Sequence, residues 1–322
     1  MKAAVIYENG GPDVLRHEDV PDPECPDGCV LIDVEAISVE GGDLLHRAGS
    51  PPPSVPHVVG YLAAGTIAEV GAGVENRSVG DRVVTLNAAG SHASQRVTPA
   101  MTTWPIPDGL DAARAASVPV AIGTAHECLF TAGNLQAGQT VLIQAGAGGV
   151  GMAAIQLAKQ VGATVIATAS SDEKLERLKE FGLDHGINYA SENFVERTRE
   201  LTDGRGADVI LDSIGGQTLK NGIGALAYRG TLVSVGVTGR AGSEVEARDL
   251  WAQNNSLRGV FLGGALLTEY PRLHSLIGDL LQRVADGGIR VEIDRTFPLA
   301  EAAAAHEYIE SRQAFGRVVL EP

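Results

Sequence analysis

The segment Gln144-Ala145-Gly146-Ala147-Gly148-Gly149-Val150-Gly151 constrains this chain more than any other. It follows a short apolar run over 140–144 and opens a stretch of helix formers over about 149–161. Gly146, Gly148 and Gly151 satisfy G-x-G-x-x-G. In that pattern the first glycine permits a tight turn, the second lets the backbone approach a pyrophosphate, and the third lets the helix pack on the strand. A diphosphate set there rests on free N–H groups and on the positive end of the helix. Alone the pattern is only a glycine turn, so its surroundings decide its weight. Downstream the sequence reads as strand 164–169, helix 172–181, strand 186–188, helix 193–202, strand 208–211, helix 217–227 and strand 231–236. Strand and helix alternating in this way predict parallel βαβ units with helices on both faces of one sheet. A β-like run over 256–262, a helix near 271–285, a helix over 300–311 and a strand over 317–320 complete the chain.

The first third has a different texture. Short β-like runs over 2–7, 29–36, 65–70, 82–86 and 92–97 are separated by Gly10-Gly11-Pro12, Gly41-Gly42 and Pro51-Pro52-Pro53, with no long helical period between them. An antiparallel or barrel-like β domain is expected there. At 322 residues the chain is long enough for two domains, each with its own core. The 25 Lys and Arg set against 40 Asp and Glu leave a net charge of −15, which repels phosphate backbones and anionic lipid. Nucleic acid and membrane are therefore not expected partners, and a small-molecule substrate is. The hydrophobic stretch 141–158 is interrupted by Gln144, Gln156 and its glycines, which suit a turn rather than a membrane span. The three cysteines, Cys25, Cys29 and Cys128, cannot close a disulfide framework, and the N-terminal residues do not read as a signal peptide. Reduced thiols and a cytoplasmic location are expected.

The end of the second strand selects the dinucleotide. An NAD site places a carboxylate there for the ribose hydroxyls. Here the strand closes with Thr168-Ala169-Ser170-Ser171, and the first acids, Asp172 and Glu173, fall in the opening turn of a helix. Ser170 with Glu173 fits a capping box, so those acids have a purely local role. A small polar strand end followed by Lys174 leaves space and a counter-charge for a 2′-phosphate, which favours NADP.

These residues, together with Met1-Lys2-Ala3, Gly80-Asp81-Arg82-Val83, Gly123-Thr124-Ala125, Ile187-Asn188-Tyr189, Asp212-Ser213-Ile214-Gly215-Gly216, Pro298-Leu299, Ala305-His306 and Gly316-Arg317-Val318-Val319-Leu320, carry a resemblance over essentially the whole chain. The chain resembles the zinc-independent quinone oxidoreductase branch of the medium-chain dehydrogenase/reductase superfamily. The resemblance implies an α/β fold: a GroES-like β-barrel domain from 1–121, a Rossmann doubly wound sheet from 122–263, and a return segment over 264–322 completing the first domain, with a cleft between the two. It also implies NADPH as cofactor and a homodimer. Gly146, Ala147, Gly148, Gly149 and Val150 are matched to the diphosphate, and Ser170, Lys174 and Tyr189 to the 2′-phosphate. Thr124 is matched to the nicotinamide end. Gly236, Phe261 and Leu262 are expected to present backbone to the carboxamide, and Arg317 is counted among the cofactor contacts.

No metal is expected. Zinc-dependent relatives carry Gly-His-Glu in the region that reads Gly60-Tyr61-Leu62 and a cysteine where Ser38 or Val39 stands, and they carry four closely spaced cysteines that this chain lacks. Charge developing on a hydride acceptor must then be met by hydrogen-bond donors. Tyr61, standing where the zinc histidine would be, His46 and Thr124 are the candidate catalytic residues, although a packing tyrosine and a surface histidine would read the same way. Glu40 and Leu45 depart from the family, which commonly has Asn and Tyr there. Three functions follow: reduction of a quinone or related activated acceptor, reduction of an α,β-unsaturated carbonyl or enoyl substrate, or NADPH binding with little catalysis.

Overall fold

The computed structural model describes residues 1–322 apart from Ser50, Arg240, Ala241 and Ser243. The chain is mixed α/β and divides into two compact units, Met1–Val120 with Glu269–Pro322, and Ala121–Thr268.

The first unit is built on short strands: β1 (Lys2–Ile6), β2 (Arg16–Asp19), β3 (Cys29–Ser38), β4 (His57–Val58), β5 (Leu62–Val70), β6 (Arg82–Leu86), β7 (Gln95–Pro99) and β8 (Thr103–Pro105). β1 lies between β2 and β4 in a small antiparallel sheet. β3, β5, β6 and β8 form a larger antiparallel run, with β7 also paired to β3. Alternation sets which side is covered: in β3, Val34 and Ala36 are buried while Asp33 and Glu35 are exposed. Leu44, Ile37, Ala63, Phe297 and Leu320 close one core cluster, and Val30, Ile32, Ile67 and Val83 another.

Two local expectations change here. Gly41-Gly42 does not punctuate strands but opens helix α1 (Gly41–Gly49), because Asp43 in its first turn accepts the Glu40 N–H and because Leu44 and Arg47 turn inward. Nine residues are too few to leave a visible helical period. His92 lies outside β7, and its backbone bonds instead to Val59 and Ala4. Helix α2 (Ala112–Ala116), capped by Asp111, follows β8.

The second unit begins with helix α3 (Ala121–His126), which runs into a π-helical turn over Glu127–Ala132. Its sheet contains β9 (Thr140–Ile143), β10 (Thr164–Ala169), β11 (His185–Asn188), β12 (Ala207–Asp212), β13 (Leu226–Ser234) and β14 (Ser256–Gly259), all parallel, in the order β11-β10-β9-β12-β13-β14. Chain order reverses between β9 and β12, and a crevice at the carboxyl ends of strands opens at such a switch point. Helices α4 (Gly149–Gln160), α5 (Asp172–Leu178), α6 (Phe194–Leu201) and α7 (Gly216–Ala225) connect the strands, and α8 (Leu262–Thr268) ends the unit. The helix expected to reach residue 227 stops at Ala225, and β13 starts at Leu226. The cap of α5 also moves by one residue: Ser171, not Ser170, accepts the Lys174 N–H.

The chain then returns to the first unit through helix α9 (Tyr270–Ala285), strand β15 (Ile293–Pro298), helix α10 (Ala302–Glu310) and strand β16 (Arg317–Glu321), which pairs with β3. All three cysteines are free. No helix among the described residues is long and apolar enough to cross a membrane.

Candidate functional site

In the second unit, the glycine turn sits at the carboxyl end of β9. The Gly146 N–H donates to the Thr168 carbonyl at 2.8 Å, which ties the turn to β10. The Thr168 hydroxyl donates to Gln144 Oε1 at 2.7 Å and accepts the Ala145 N–H at 3.2 Å. The glycines are required for different reasons. A Cβ on Gly151 would stand 2.3 Å from the Ala145 carbonyl oxygen and 2.7 Å from the Gly146 Cα, both immovable backbone. On Gly146 it would meet Ala167 Cβ at 2.8 Å. On Gly148 it would meet only the Ala145 oxygen at 3.4 Å, ordinary contact. The protein's own packing thus explains Gly146 and Gly151 but leaves the face of Gly148 open. Gly148 is the N-cap of α4, and no side chain caps it. An open backbone face at an uncapped helix start fits a diphosphate, which supplies the missing acceptors.

Several of the other residues expected at the nucleotide lie along the same carboxyl edge of the sheet. Ser170 follows β10, and the Tyr189 N–H donates to the Ala169 carbonyl at 3.1 Å, so Tyr189 is held beside that strand end. Lys174 lies in the first turn of α5 and is half-buried. Asp172, on the same turn, accepts from Asn188 Nδ2 at 2.9 Å. Gly236 lies two residues beyond β13, and Phe261 and Leu262 lie just beyond β14, Phe261 being 78% exposed and Leu262 buried. Thr124 is buried on α3. Asp212, closing β12, accepts the N–H groups of Ile214 and Gly215 through Oδ1, at 3.0 and 2.7 Å. Its Oδ2 and the neighbouring Gln144 Nε2 are buried without a partner, and burial raises the Asp212 pKa.

The first unit gathers a second set of groups around Tyr61. Its hydroxyl faces His46 Nε2 at 3.4 Å, with the rings edge-on at 5.3 Å. Its N–H donates to Asp43 Oδ1 at 3.1 Å, and its carbonyl accepts from Arg96 Nη1 at 2.7 Å. Its ring lies over Gly42, where a Cβ would stand 2.3 Å from Tyr61 Cε2. Burial, then the charges of Asp43 and Glu40, raise the hydroxyl above the ordinary tyrosine range, so it stays protonated. Burial pushes Asp43 up to about 8, against the pull of the Glu40 and Tyr61 N–H bonds and of Arg317, and brings Arg96 down to about 9.

Tyr61 and His46, two separate sequence candidates, are thus one pair. Arg317 is buried, and its Nη2 donates to Ser38 Oγ at 2.6 Å, to the Val39 carbonyl at 3.1 Å and to Glu40 Oε1. A carboxylate buried as fully as Glu40 needs a counter-charge, and Arg317 supplies it. Further in, Arg47 Nη1 donates to His306 Nδ1 at 3.1 Å, and His306 Nε2 meets His92 Nε2 at 3.0 Å. Arginine has no acceptor, so His306 carries its proton on Nε2 and donates to His92, which in turn donates from Nδ1 to Ser91 Oγ at 3.2 Å. Burial lowers both histidines, His92 to about 3. The bonds of Arg96 to Tyr61 and of His306 to His92 had no sequence signal, since the partners lie 35 and 214 positions apart. Among the described residues, no group of three or more His, Cys, Asp or Glu side chains is placed to hold a metal ion.

Comparison with known proteins adds the following. Residues 26–109 match the model of the alcohol dehydrogenase GroES-like domain, and residues 149–279 that of the zinc-binding dehydrogenase family. A 2-haloacrylate reductase from a Burkholderia species is 37% identical, covering 100% of this chain and 99% of the relative. A quinone oxidoreductase from Pseudomonas aeruginosa is 34% identical over 97% of both. The crystal structure of Escherichia coli quinone oxidoreductase complexed with NADPH superposes with a TM-score of 0.94 at 30% identity, covering 100% of both chains.

Proposed function

Because the chain belongs to the zinc-independent quinone oxidoreductase branch of the medium-chain dehydrogenase/reductase superfamily, we propose that it is an NADPH-dependent reductase of quinones or of alkenes activated by a conjugated withdrawing group. The observation that carries the reading is the glycine turn, where the face of Gly148 is left open at an uncapped helix start. The acceptor class draws on two relatives, one a quinone oxidoreductase and one a 2-haloacrylate reductase.

When bound, NADPH supplies a hydride. Gly146, Ala147, Gly148, Gly149 and Val150 hold the diphosphate, and Ser170, Lys174 and Tyr189 hold the 2′-phosphate. Thr124, Gly236, Phe261 and Leu262 hold the nicotinamide end. Tyr61 holds a proton at its hydroxyl oxygen for the acceptor oxygen on which charge develops. Because that hydroxyl is a weak acid, its main contribution is a strengthening hydrogen bond to the developing oxyanion. His46 is exposed and stands beside it, so it returns the proton from solvent.

The test is a panel of quinones and 2-substituted acrylates or enones offered with NADPH. Turnover on either class supports the reading, and its absence on both, despite tight NADPH binding, overturns catalysis in favour of a binding role. Tyr61→Phe should lower kcat about 10²-fold, in the range of a lost oxyanion donor. Lys174→Ala should reduce the preference for NADPH over NADH about tenfold, the weight of one charge-assisted contact.

The enzyme works in the cytoplasm as a homodimer. Support for a second copy comes from the second unit: among the described residues β14 pairs only with β13, leaving an open edge. Around it, Trp251, Leu257 and Leu267 are exposed, Leu267 by 86%. Light scattering on the wild type and on Leu257→Asp distinguishes a dimer from a monomer.

A further inference from the structure

Tyr61 stands where the ladder ends. It is one residue ahead of β5, whose pairing with β6 begins at Leu62 and Leu86. Its carbonyl accepts the Asn87 N–H at 3.1 Å, and two buried ionisable side chains hold its backbone as well. Asp43, on the first turn of α1, takes its N–H, and Arg96, on β7, takes its carbonyl. Both are buried, Asp43 at 0% exposure and Arg96 at 2%. Buried ionisable groups are an expensive addition at a strand end that a neutral amide already reaches.

The second oxygen of Asp43 explains the choice. Oδ2 accepts the Glu40 N–H at 2.8 Å and so pins the start of α1, the helix that carries His46 three residues on. One carboxyl therefore holds both the backbone of Tyr61 and the helix of its partner. Gly42, between Glu40 and Asp43, leaves the notch in which the Tyr61 ring lies.

We propose that Asp43 is a positioning residue that sets Tyr61 against His46, with Arg96 as the opposing jaw of the same clamp and Gly42 as its floor. This rests on the reading of Tyr61 as the donor to the acceptor oxygen. Asp43 touches neither acceptor nor cofactor, and its effect passes through Tyr61.

Steady-state kinetics at saturating NADPH test it, using Asp43→Asn, Tyr61→Phe and the double variant, with folding checked by circular dichroism. Asparagine keeps one acceptor oxygen and loses the other. The expected result is a roughly tenfold lower kcat for Asp43→Asn with the KM for NADPH unchanged, and no further loss when the change is made in the Tyr61→Phe background. The same tenfold loss in both backgrounds, or a wild-type kcat in Asp43→Asn, overturns the positioning role while leaving Tyr61 as donor. A wild-type kcat in Tyr61→Phe overturns the donor reading and the clamp with it. Should Asp43→Asn fail to fold, Gly42→Ala serves instead. It keeps every buried charge, suits a helix, and pushes its Cβ into the Tyr61 ring. A lower kcat with unchanged NADPH KM supports the clamp, and wild-type kinetics overturn it.

Discussion

The two units build their functional groups from opposite materials. In the second, the nucleotide cradle is backbone: a glycine turn, an uncapped helix start and the carboxyl ends of parallel strands, with Glu127 and Asp212 the buried acids among the described residues. In the first, the candidate site is assembled from buried ionisable side chains, with Glu40, Asp43, Arg47, His92, Arg96, His306 and Arg317 all enclosed. A phosphate that must be gripped in one geometry is served by fixed N–H dipoles. A donor whose hydroxyl must stay protonated is served by a desolvated, charge-balanced pocket. The first solution is local in sequence and the second is not.

The greatest expected loss breaks the charge balance of the first unit. Arg317→Met leaves Glu40 buried without a counter-charge and should cost about 3–5 kcal/mol. Urea unfolding followed by the fluorescence of Trp104, in a Trp251→Phe background, reads this out, since Trp104 is buried in that unit. Adding Glu40→Leu to Arg317→Met should recover part of the loss, and if it does not, packing rather than charge holds this region.

Gly151→Ala addresses the other unit. Its Cβ collides with backbone on two sides, so about 2–3 kcal/mol of stability should go, together with NADPH binding, in thermal unfolding with and without the dinucleotide.

Acid should separate the units. Because the folded state holds His92 and His306 well below an ordinary histidine, the unfolded chain binds more protons below about pH 6.5. Each of these histidines then removes roughly 1.4 kcal/mol per pH unit from the first unit as pH drops from about 6.5 towards 3, offset in part by Glu40 and Asp43, while among the described residues no buried histidine pair lies in the second. His92→Phe should flatten that limb in Trp104 fluorescence. Asp43 acts with the opposite sign: held up to about 8, it removes stability as pH rises from about 4 to 8.

Gly148→Ala is the mildest change. Thermal unfolding should be unaltered, because the new methyl meets only an ordinary contact, while NADPH binding weakens about tenfold, or about 1.4 kcal/mol. A lowered melting temperature would show that Gly148 serves the fold and not a ligand.

How far the sequence could be read follows the same division. The parallel βα units were legible because apolar runs, caps and glycines lie within a few residues of one another. Even there, Ser170 with Glu173 read as the capping box of α5, whereas Ser171 caps it by accepting the Lys174 N–H. Helix α1 was hidden because its start is glycine and its cap is an aspartate that also serves Tyr61. The bond from Arg317 to Glu40 was not legible, since nothing local announces a carboxylate 277 positions away.

The family, the αβ alternation and a dinucleotide turn whose second strand favours a 2′-phosphate follow from the residues alone, because each of these is written in neighbouring positions. That Tyr61 and His46 are one pair, that Asp43 and Arg96 bond the Tyr61 backbone, and that Arg317 balances Glu40 emerges in three dimensions. Those assignments depend on which distant charges share a buried space, and the Coulomb and desolvation energies that fix them act through space rather than along the chain.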